Sequence, residues 1–175
     1  GTQQSEIAGA ELWAYDGVNW AQAITGGFGD PTNAVASALA VLDGSLYIGT
    51  QNGYSGAQIW AHNGISATQV VSNGLADAFN VYVLSLVTFD GHLYAGTLNG
   101  AYPVAEGAEV WRTANGVDWT RVMTGGFGDA ANIAVSALAV MSDTLYAGTQ
   151  NQATGAEVWR TRDGLTWEPV LVGGF

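Results

Sequence analysis

Short runs of β-forming residues, separated by turn residues, follow one another along the chain. The last four runs are SALAVM from Ser136, TLYAGT from Thr144, GAEVWRT from Gly155 and TWEPVLV from Thr166. Valine, tyrosine, tryptophan and threonine favour strands, and glycine recurs too often in these segments for a stable helix. Because no long apolar period of about 3.6 residues is present either, the pattern predicts an all-β protein.

Asp-Gly and Asn-Gly pairs separate the runs at two kinds of position. Such pairs tolerate the positive φ of a type I′ turn, which joins two antiparallel strands tightly. Each group of four runs is therefore predicted to form two β-hairpins. The first and second runs are separated by Asp43-Gly44 and Asp90-Gly91, and the third and fourth by Asp16-Gly17, Asn63-Gly64, Asn115-Gly116 and Asp163-Gly164.

The same markers return at nearly constant spacing. Units of about 40 to 50 residues with four antiparallel strands are typical of β-propeller blades, whereas a β-sandwich does not explain such regular repetition. The GA-x-x-W marker begins at Gly9, Gly56, Gly107 and Gly155, at offsets of 47, 51 and 48 residues, and the LY-x-GT marker begins at Leu46, Leu93 and Leu145.

This repeat divides residues 1–175 into a half-blade at 1–28 and blades at about 29–75, 76–127 and 128–175. With strands A to D numbered outward from the centre, the A–B and C–D turns share one face, and the B–C and D–A connections share the other. We predict an arc of about 3.5 four-stranded antiparallel blades, part of a larger closed propeller. A missing segment or another chain is expected to complete it, since an open arc leaves strand edges bare.

Two of the turns between the third and fourth runs of a unit resemble a known motif. TANGVDW from Thr113 and TRDGLTW from Thr161 resemble the Asp-box, a turn between strands C and D of sialidase-type and sortilin-type propellers. The whole chain also resembles bacterial and archaeal propeller proteins built from GAEVWR, DG-x-x-W, GFGD and LYAGT segments. The turn at Asp16 lacks the serine or threonine that begins the motif, and the turn that follows His62 lacks the tryptophan that ends it. In the Asp-box families this turn is structural, which implies that Asp16 and Asp163 form turns and are not catalytic.

Composition excludes several functions. The chain has 15 acidic residues, four arginines and no lysine, for a formal net charge of -11. Nucleic-acid binding and attraction to anionic membranes both need a basic surface, so neither is expected. No apolar stretch approaches the roughly 20 residues of a membrane helix, so no membrane insertion is expected. The acidic, lysine-free composition and the family resemblance together favour an extracellular or cell-surface location.

No catalytic arrangement is visible in the sequence. A sialidase-like site needs several converging arginines, and a glycosidase needs two carboxyl groups that face each other across the scissile bond. The arginines lie on strand C, on strand D or in a turn, and no second histidine accompanies either histidine. The recurring strand C glutamates are predicted to be solvated or to face a sheet edge. These residues are Arg112, Arg121, Arg160 and Arg162, His62 and His92, and Glu11, Glu109 and Glu157.

The seven tryptophans fall at two repeat positions. A residue that packs neighbouring blades must recur in every blade, whereas a ligand-binding residue need not. We therefore predict packing between blades, and an aromatic platform for sugar rings is the alternative. The first position holds Trp13, Trp60, Trp111 and Trp159, and the second holds Trp20, Trp119 and Trp167.

The face that carries the B–C and D–A connections gathers the best candidate ligand-binding residues. Amide and carboxylate oxygens suit hydroxyl-rich ligands or a hard cation, so calcium is possible near Asp30, Asp77 and Asp129. The alternative is that the Asp-x-x-Asn spacing only caps and braces the D–A connection. The candidates are Gln51, Asn52, Asn99, Gln150 and Asn151 beside the B–C loops, and Asp30, Asn33, Asp77, Asn80, Asp129 and Asn132 beside the D–A connections.

Loops on a rigid scaffold are the usual place for function in such folds. The sequence therefore favours a non-catalytic, secreted or cell-surface binding module that recognises glycans or proteins through this face. The first alternative is a structural subunit of an extracellular oligomeric assembly. The second is a fragment of a glycoside hydrolase-like propeller, whose catalytic groups would come from blades outside this chain.

Overall fold

The computed structural model describes residues 8–100 and 106–174. Their strands are β1 (Leu12–Tyr15), β2 (Trp20–Ile24), β3 (Val35–Leu42), β4 (Ser45–Gln51), β5 (Ile59–His62), β6 (Ala67–Val71), β7 (Asn80–Phe89), β8 (His92–Asn99), β9 (Val110–Thr113), β10 (Thr120–Met123), β11 (Ala134–Met141), β12 (Thr144–Gln150), β13 (Val158–Thr161) and β14 (Glu168–Leu171). The helical segments are α1 (Asn73–Ala76) and two 3₁₀ turns, Gly26–Gly29 and Gly125–Gly128. No helix in the described ranges is long and apolar enough to cross a membrane.

Consecutive strands pair in antiparallel fashion and form the predicted four-stranded units. Blade I contains β3 to β6, blade II contains β7 to β10, and blade III contains β11 to β14. Strands β1 and β2 form the half-blade hairpin, while residues 1–7 of the predicted half-blade lie outside the described residues. The all-β prediction and the strand order within each blade are confirmed.

Neighbouring blades meet through their inner strands. The first strand of blade II lies against the first strands of both blade I and blade III. Single backbone pairings, Gln51 with Tyr82 and Ala134 with Leu98, join the second strand of one blade to the first strand of the next. The first strands therefore line the inner side of the arc, as predicted.

The core lies between the blades, and most of the recurring tryptophans belong to it. Trp111 and Trp119 of blade II pack against a cluster in which buried apolar residues of blades I and II meet. Trp159 and Trp167 of blade III pack against the corresponding cluster of blades II and III. Large aromatic residues bury much area, so these contacts account for a large share of the blade-to-blade stabilisation.

The C–D turns are held by their own polar side chains. The Asp163 carboxylate accepts hydrogen bonds from the backbone N–H of Leu165 and Thr166, at 2.8 and 2.7 Å. The Thr161 hydroxyl donates to the same carboxylate, at 2.9 Å, and accepts from the backbone N–H of Gly164. Asp16 accepts two equivalent backbone bonds in the half-blade. Both aspartates thus have the turn-forming role that the resemblance implied.

These bonds lead to a prediction for acid stability. The hydrogen bonds from the backbone of Thr166 and Leu165 hold the pKa of Asp163 well below the ordinary aspartate value of 3.8. A lowered folded-state pKa gives stability that is present above pH 3.8 and is lost as the pH falls toward the folded-state pKa. Asn115 accepts the same pair of backbone bonds in blade II without titrating. We expect Asp163→Asn to match wild type in urea unfolding at neutral pH and to lose less stability in acid. Equal acid-induced losses in the two proteins would contradict this.

Candidate ligand face

The B–C loops and the D–A connections lie on one face, which we call the loop face. In blade I, the Asn52 side chain at the B–C loop donates to the Asp30 carboxylate of the D–A connection, at 3.2 Å. In addition, the Gly27 backbone N–H, in the same D–A connection, donates to the carbonyl of Ala10 in the half-blade at 3.0 Å. These contacts confirm that the two loop sets share a face.

Each D–A connection contains a tight turn that an asparagine braces. The side-chain N–H groups of Asn33, Asn80 and Asn132 donate to the carbonyl oxygens of Gly27, Gly74 and Gly126, at 2.9, 3.0 and 2.8 Å. In each turn the glycine and the residue after it have positive φ. Left-handed conformation is costly for residues other than glycine, so the asparagine bond helps to hold a strained turn.

The same asparagine joins a buried polar network inside its blade. In blade III, Asn132 Nδ2 donates to Glu157 Oε2 at 2.7 Å, and Asn132 Oδ1 accepts from Thr149 and Asn151 at 2.9 and 3.2 Å. Trp159 Nε1 also donates to Glu157 Oε2, at 2.8 Å. Blade I repeats this arrangement with Gln58 in the place of the glutamate.

The structure therefore places the candidate residues in two layers. The asparagines lie inside and donate to protein acceptors, which agrees with the bracing alternative. The aspartates and the two glutamines are half-buried at the surface of the loop face, where a ligand could reach them. The inner layer is Asn33, Asn52, Asn80, Asn99, Asn132 and Asn151, and the outer layer is Asp30, Asp77, Asp129, Gln51 and Gln150.

One expectation is wrong for two of the three strand C glutamates. Glu109 and Glu157 are 4% and 7% exposed, so they are not solvated. The D–A asparagine and the strand C tryptophan of the same blade donate to each of these glutamates, and Glu109 additionally pairs with Arg121 at 2.6 Å. Glu11 of the half-blade is exposed as expected. A single strand's alternation could not reveal this burial, because the covering residues come from other parts of the chain.

The loop-face carboxylates are satisfied by protein donors. The hydroxyl of Thr32, with additional bonds from its backbone N–H and from the amides of Gln58 and Asn52, lowers the pKa of Asp30. The backbone N–H of Ala131 is the main cause of the lowered pKa of Asp129. Within the described ranges, no three acidic or histidine side chains come together as a metal site. Calcium near these aspartates stays a prediction.

Two exposed aromatic residues on the loop face were missed by the sequence reasoning. Tyr54, in the B–C loop of blade I, is 81% exposed, and Phe79, in the next D–A connection, is 53% exposed. The two loops run side by side, since a side-chain carbon built on Gly56 would lie 3.1 Å from the Cα of Ala78. The sequence does distinguish these two residues, because neither aromatic residue recurs at its repeat position.

Comparison with known proteins supports the fold without naming a family. No family model and no curated protein matches the chain. The chain is similar in structure to an endo-arabinase from Bacteroides thetaiotaomicron, at 10% identity and a TM-score of 0.55, over 78% of this chain and 55% of that one. It is also similar to a sucrose-6-phosphate hydrolase from Lactobacillus gasseri, at 13% identity and a TM-score of 0.57, over 92% of this chain and 41% of that one.

A third similar structure is a GH74 xyloglucanase from Xanthomonas campestris, at 20% identity and a TM-score of 0.54, over 95% of this chain and 27% of that one. The chain thus spans from about a quarter to about half of the length of these proteins. At such identities the likeness concerns architecture alone. Together with the four-stranded antiparallel blades, it shows that the chain has the fold of a β-propeller segment.

Proposed function

We propose that this chain is the glycan-contacting segment of a carbohydrate-binding β-propeller, with the ligand lying across the loop face. The observation that carries the proposal is the exposed pair Tyr54 and Phe79 on adjacent loops of that face. Sugar rings pack on aromatic side chains, and nearby polar groups such as Gln51 orient the hydroxyls. Such a role is suited to a secreted or cell-surface protein.

The position of the two aromatic residues supports a ligand-binding role over a packing role. Ala153 occupies the Tyr54 position in blade III, and Ala131 occupies the Phe79 position there. A packing residue would have to recur, because every blade contacts its neighbour in the same way. Among the described residues, the exposed aromatic pair lies at the junction of blades I and II.

The charge of the chain narrows the class of glycan. With a formal net charge of -11, the chain repels acidic polysaccharides. Neutral glycans fit better. The similar structures support a carbohydrate ligand as well, since two of them are an endo-arabinase and a xyloglucanase.

Titration calorimetry with neutral xyloglucan and arabinan oligosaccharides tests the proposal. We expect Tyr54→Ala and Phe79→Ala each to weaken binding roughly tenfold, because removal of a central aromatic contact typically costs more than about 1 kcal/mol. Ile65→Ala is the matched control, since Ile65 is 92% exposed in a C–D turn on the opposite face. Undiminished binding by both aromatic variants would contradict the assignment of the site, and failure of wild type to bind either glycan would contradict the ligand class.

A hydrolase-like propeller fragment is the second candidate, and the similarity to carbohydrate hydrolases favours it. Asp77 is the carboxylate nearest in sequence to the aromatic pair, and it accepts a bond from the backbone N–H of Phe79 at 2.9 Å. Release of reducing sugar from the same oligosaccharides tests this candidate. Hydrolysis that disappears in Asp77→Asn while glycan binding persists would favour it over a binding role.

A further inference from the structure

Two of the C–D turns carry an Asn-Gly pair whose asparagine is exposed. These pairs are Asn63-Gly64 in blade I and Asn115-Gly116 in blade II. An asparagine that precedes glycine can react with the backbone, because the glycine nitrogen attacks the side-chain amide carbon and glycine has no side chain to hinder the approach. The rate depends on the groups that contact the attacking nitrogen and the side-chain oxygen.

The turn of blade I places a base on the attacking nitrogen. The backbone N–H of Gly64 donates to His62 Nδ1 at 3.1 Å, so the lone pair of this ring nitrogen faces the N–H. Among side chains, imidazole is the one that most readily takes up a proton near neutral pH. In blade II the corresponding N–H, that of Gly116, donates to the hydroxyl of Thr113 at 3.0 Å. A neutral hydroxyl is a much weaker base than imidazole.

The same turn stabilises the oxygen on which negative charge develops. Asn63 Oδ1 accepts hydrogen bonds from the backbone N–H of Ile65 and Ser66, both at 2.9 Å. Two N–H donors aimed at a carbonyl oxygen favour a tetrahedral intermediate that carries an oxyanion. Asn115 Oδ1 accepts the same pair of bonds in blade II, so these contacts alone would not make the two turns differ. In blade I all of the contacts lie within residues 62–66, so they do not depend on what packs against the ends of the arc.

We propose that Asn63 is a site of spontaneous deamidation that His62 promotes. The Gly64 nitrogen forms a bond to Asn63 Cγ while His62 Nδ1 accepts the amide proton. The bond between Cγ and Nδ2 of Asn63 then breaks, and His62 returns the proton to the leaving nitrogen, which departs as ammonia. Water opens the resulting succinimide ring to aspartate or isoaspartate. Overall, one water is consumed and one ammonia is released.

The aspartate product fits the turn in which it forms. Asp16 and Asp163 occupy the same position in the half-blade and in blade III, and each accepts the same two backbone hydrogen bonds as Asn63. Isoaspartate instead adds a carbon to the backbone, which alters the path of a tight turn. Deamidation therefore adds a negative charge to the face opposite the loop face, and its aspartate form keeps the turn.

Peptide mapping by mass spectrometry, after incubation of the native chain at neutral pH, tests the proposal. We expect Asn63 to deamidate roughly tenfold or more faster than Asn115, because of the assistance from the base. His62→Thr gives blade I the hydroxyl that blade II has, and it is expected to slow Asn63 by a similar factor while the rate at Asn115 stays the same. Asn115 is thus an internal control in every sample, since global unfolding would accelerate both sites.

The same measurement in urea separates the effect of the turn from that of the Asn-Gly sequence. Unfolding removes the turn contacts, so the two asparagines are expected to deamidate at similar rates. Native Asn63 that reacts no faster than Asn115, or an undiminished rate in a folded His62→Thr, would overturn the proposal. A loss of fold in His62→Thr would raise both rates, and the wild-type comparison of native with unfolded protein would then decide. None of these outcomes bears on glycan binding, which uses the other face.

Discussion

Replacement of Glu157 by leucine is expected to lower the free energy of unfolding by about 3 kcal/mol. The side chain is 7% exposed and accepts hydrogen bonds from Asn132 Nδ2 and Trp159 Nε1. Leucine would leave the indole N–H without its acceptor and would remove one of the two acceptors of the asparagine. Each buried polar group left unsatisfied costs roughly 1 to 3 kcal/mol. Urea unfolding followed by circular dichroism measures the change.

Glu157→Gln is the matched control, because blade I already has a glutamine at this position. Gln58 accepts from Asn33 Nδ2 at 2.8 Å and from Trp60 Nε1 at 3.0 Å. Its own amide donates to Asp30 at 3.0 Å. We therefore expect Glu157→Gln to remain within about 1 kcal/mol of wild type. If glutamine and leucine were equally damaging, the negative charge itself would be required and the explanation by hydrogen bonds would fail.

Replacement of Gly96 by valine is expected to destabilise the chain by about 3 kcal/mol or more. The first carbon of the new side chain would lie 2.5 Å from the Ser85 hydroxyl and 2.7 Å from a methyl group of Val135 in blade III. The backbone of Gly96 is extended, so glycine is needed there for space and not for conformation. The valine would push blade II away from blade III.

Gly148→Val tests the same substitution at the equivalent position of the next blade. The nearest atom to a side-chain carbon there is the Cβ of Ala137, at 3.8 Å, which is an ordinary contact. Valine favours a strand over glycine, so this variant is expected to be neutral or up to about 1 kcal/mol more stable. The comparison is made by urea unfolding at a concentration where the chain is monomeric. Similar destabilisation in both variants would show that the strand, and not the blade interface, requires glycine.

The position of the hairpins and the length of the repeat could be predicted because their causes are local. Asp163-Gly164 closes a turn through bonds to residues two and three positions further on. Recurrence of Trp111 and Trp159 also indicated packing between blades, since every interface needs the same large residue. The structure confirms these predictions.

The candidate site was less predictable because it depends on which residues cover one another. Asn52 and Asn151 look like surface amides in the sequence, yet both are buried against the aspartate of their own D–A connection. Their partners lie 22 residues away in each case. No local pattern indicates which of two polar loops folds over the other.

The sequence by itself determined that this protein consists of repeated four-stranded units joined by tight turns, because strand alternation and Asp-Gly or Asn-Gly pairs act within a few residues. The tertiary structure decided the rest. The D–A asparagines Asn80 and Asn132 reach across to the buried Glu109 and Glu157, and the approach of separate loops brings the exposed Tyr54 and Phe79 to one junction. Burial and juxtaposition depend on contacts between distant segments, and these exist only once the blades have packed together.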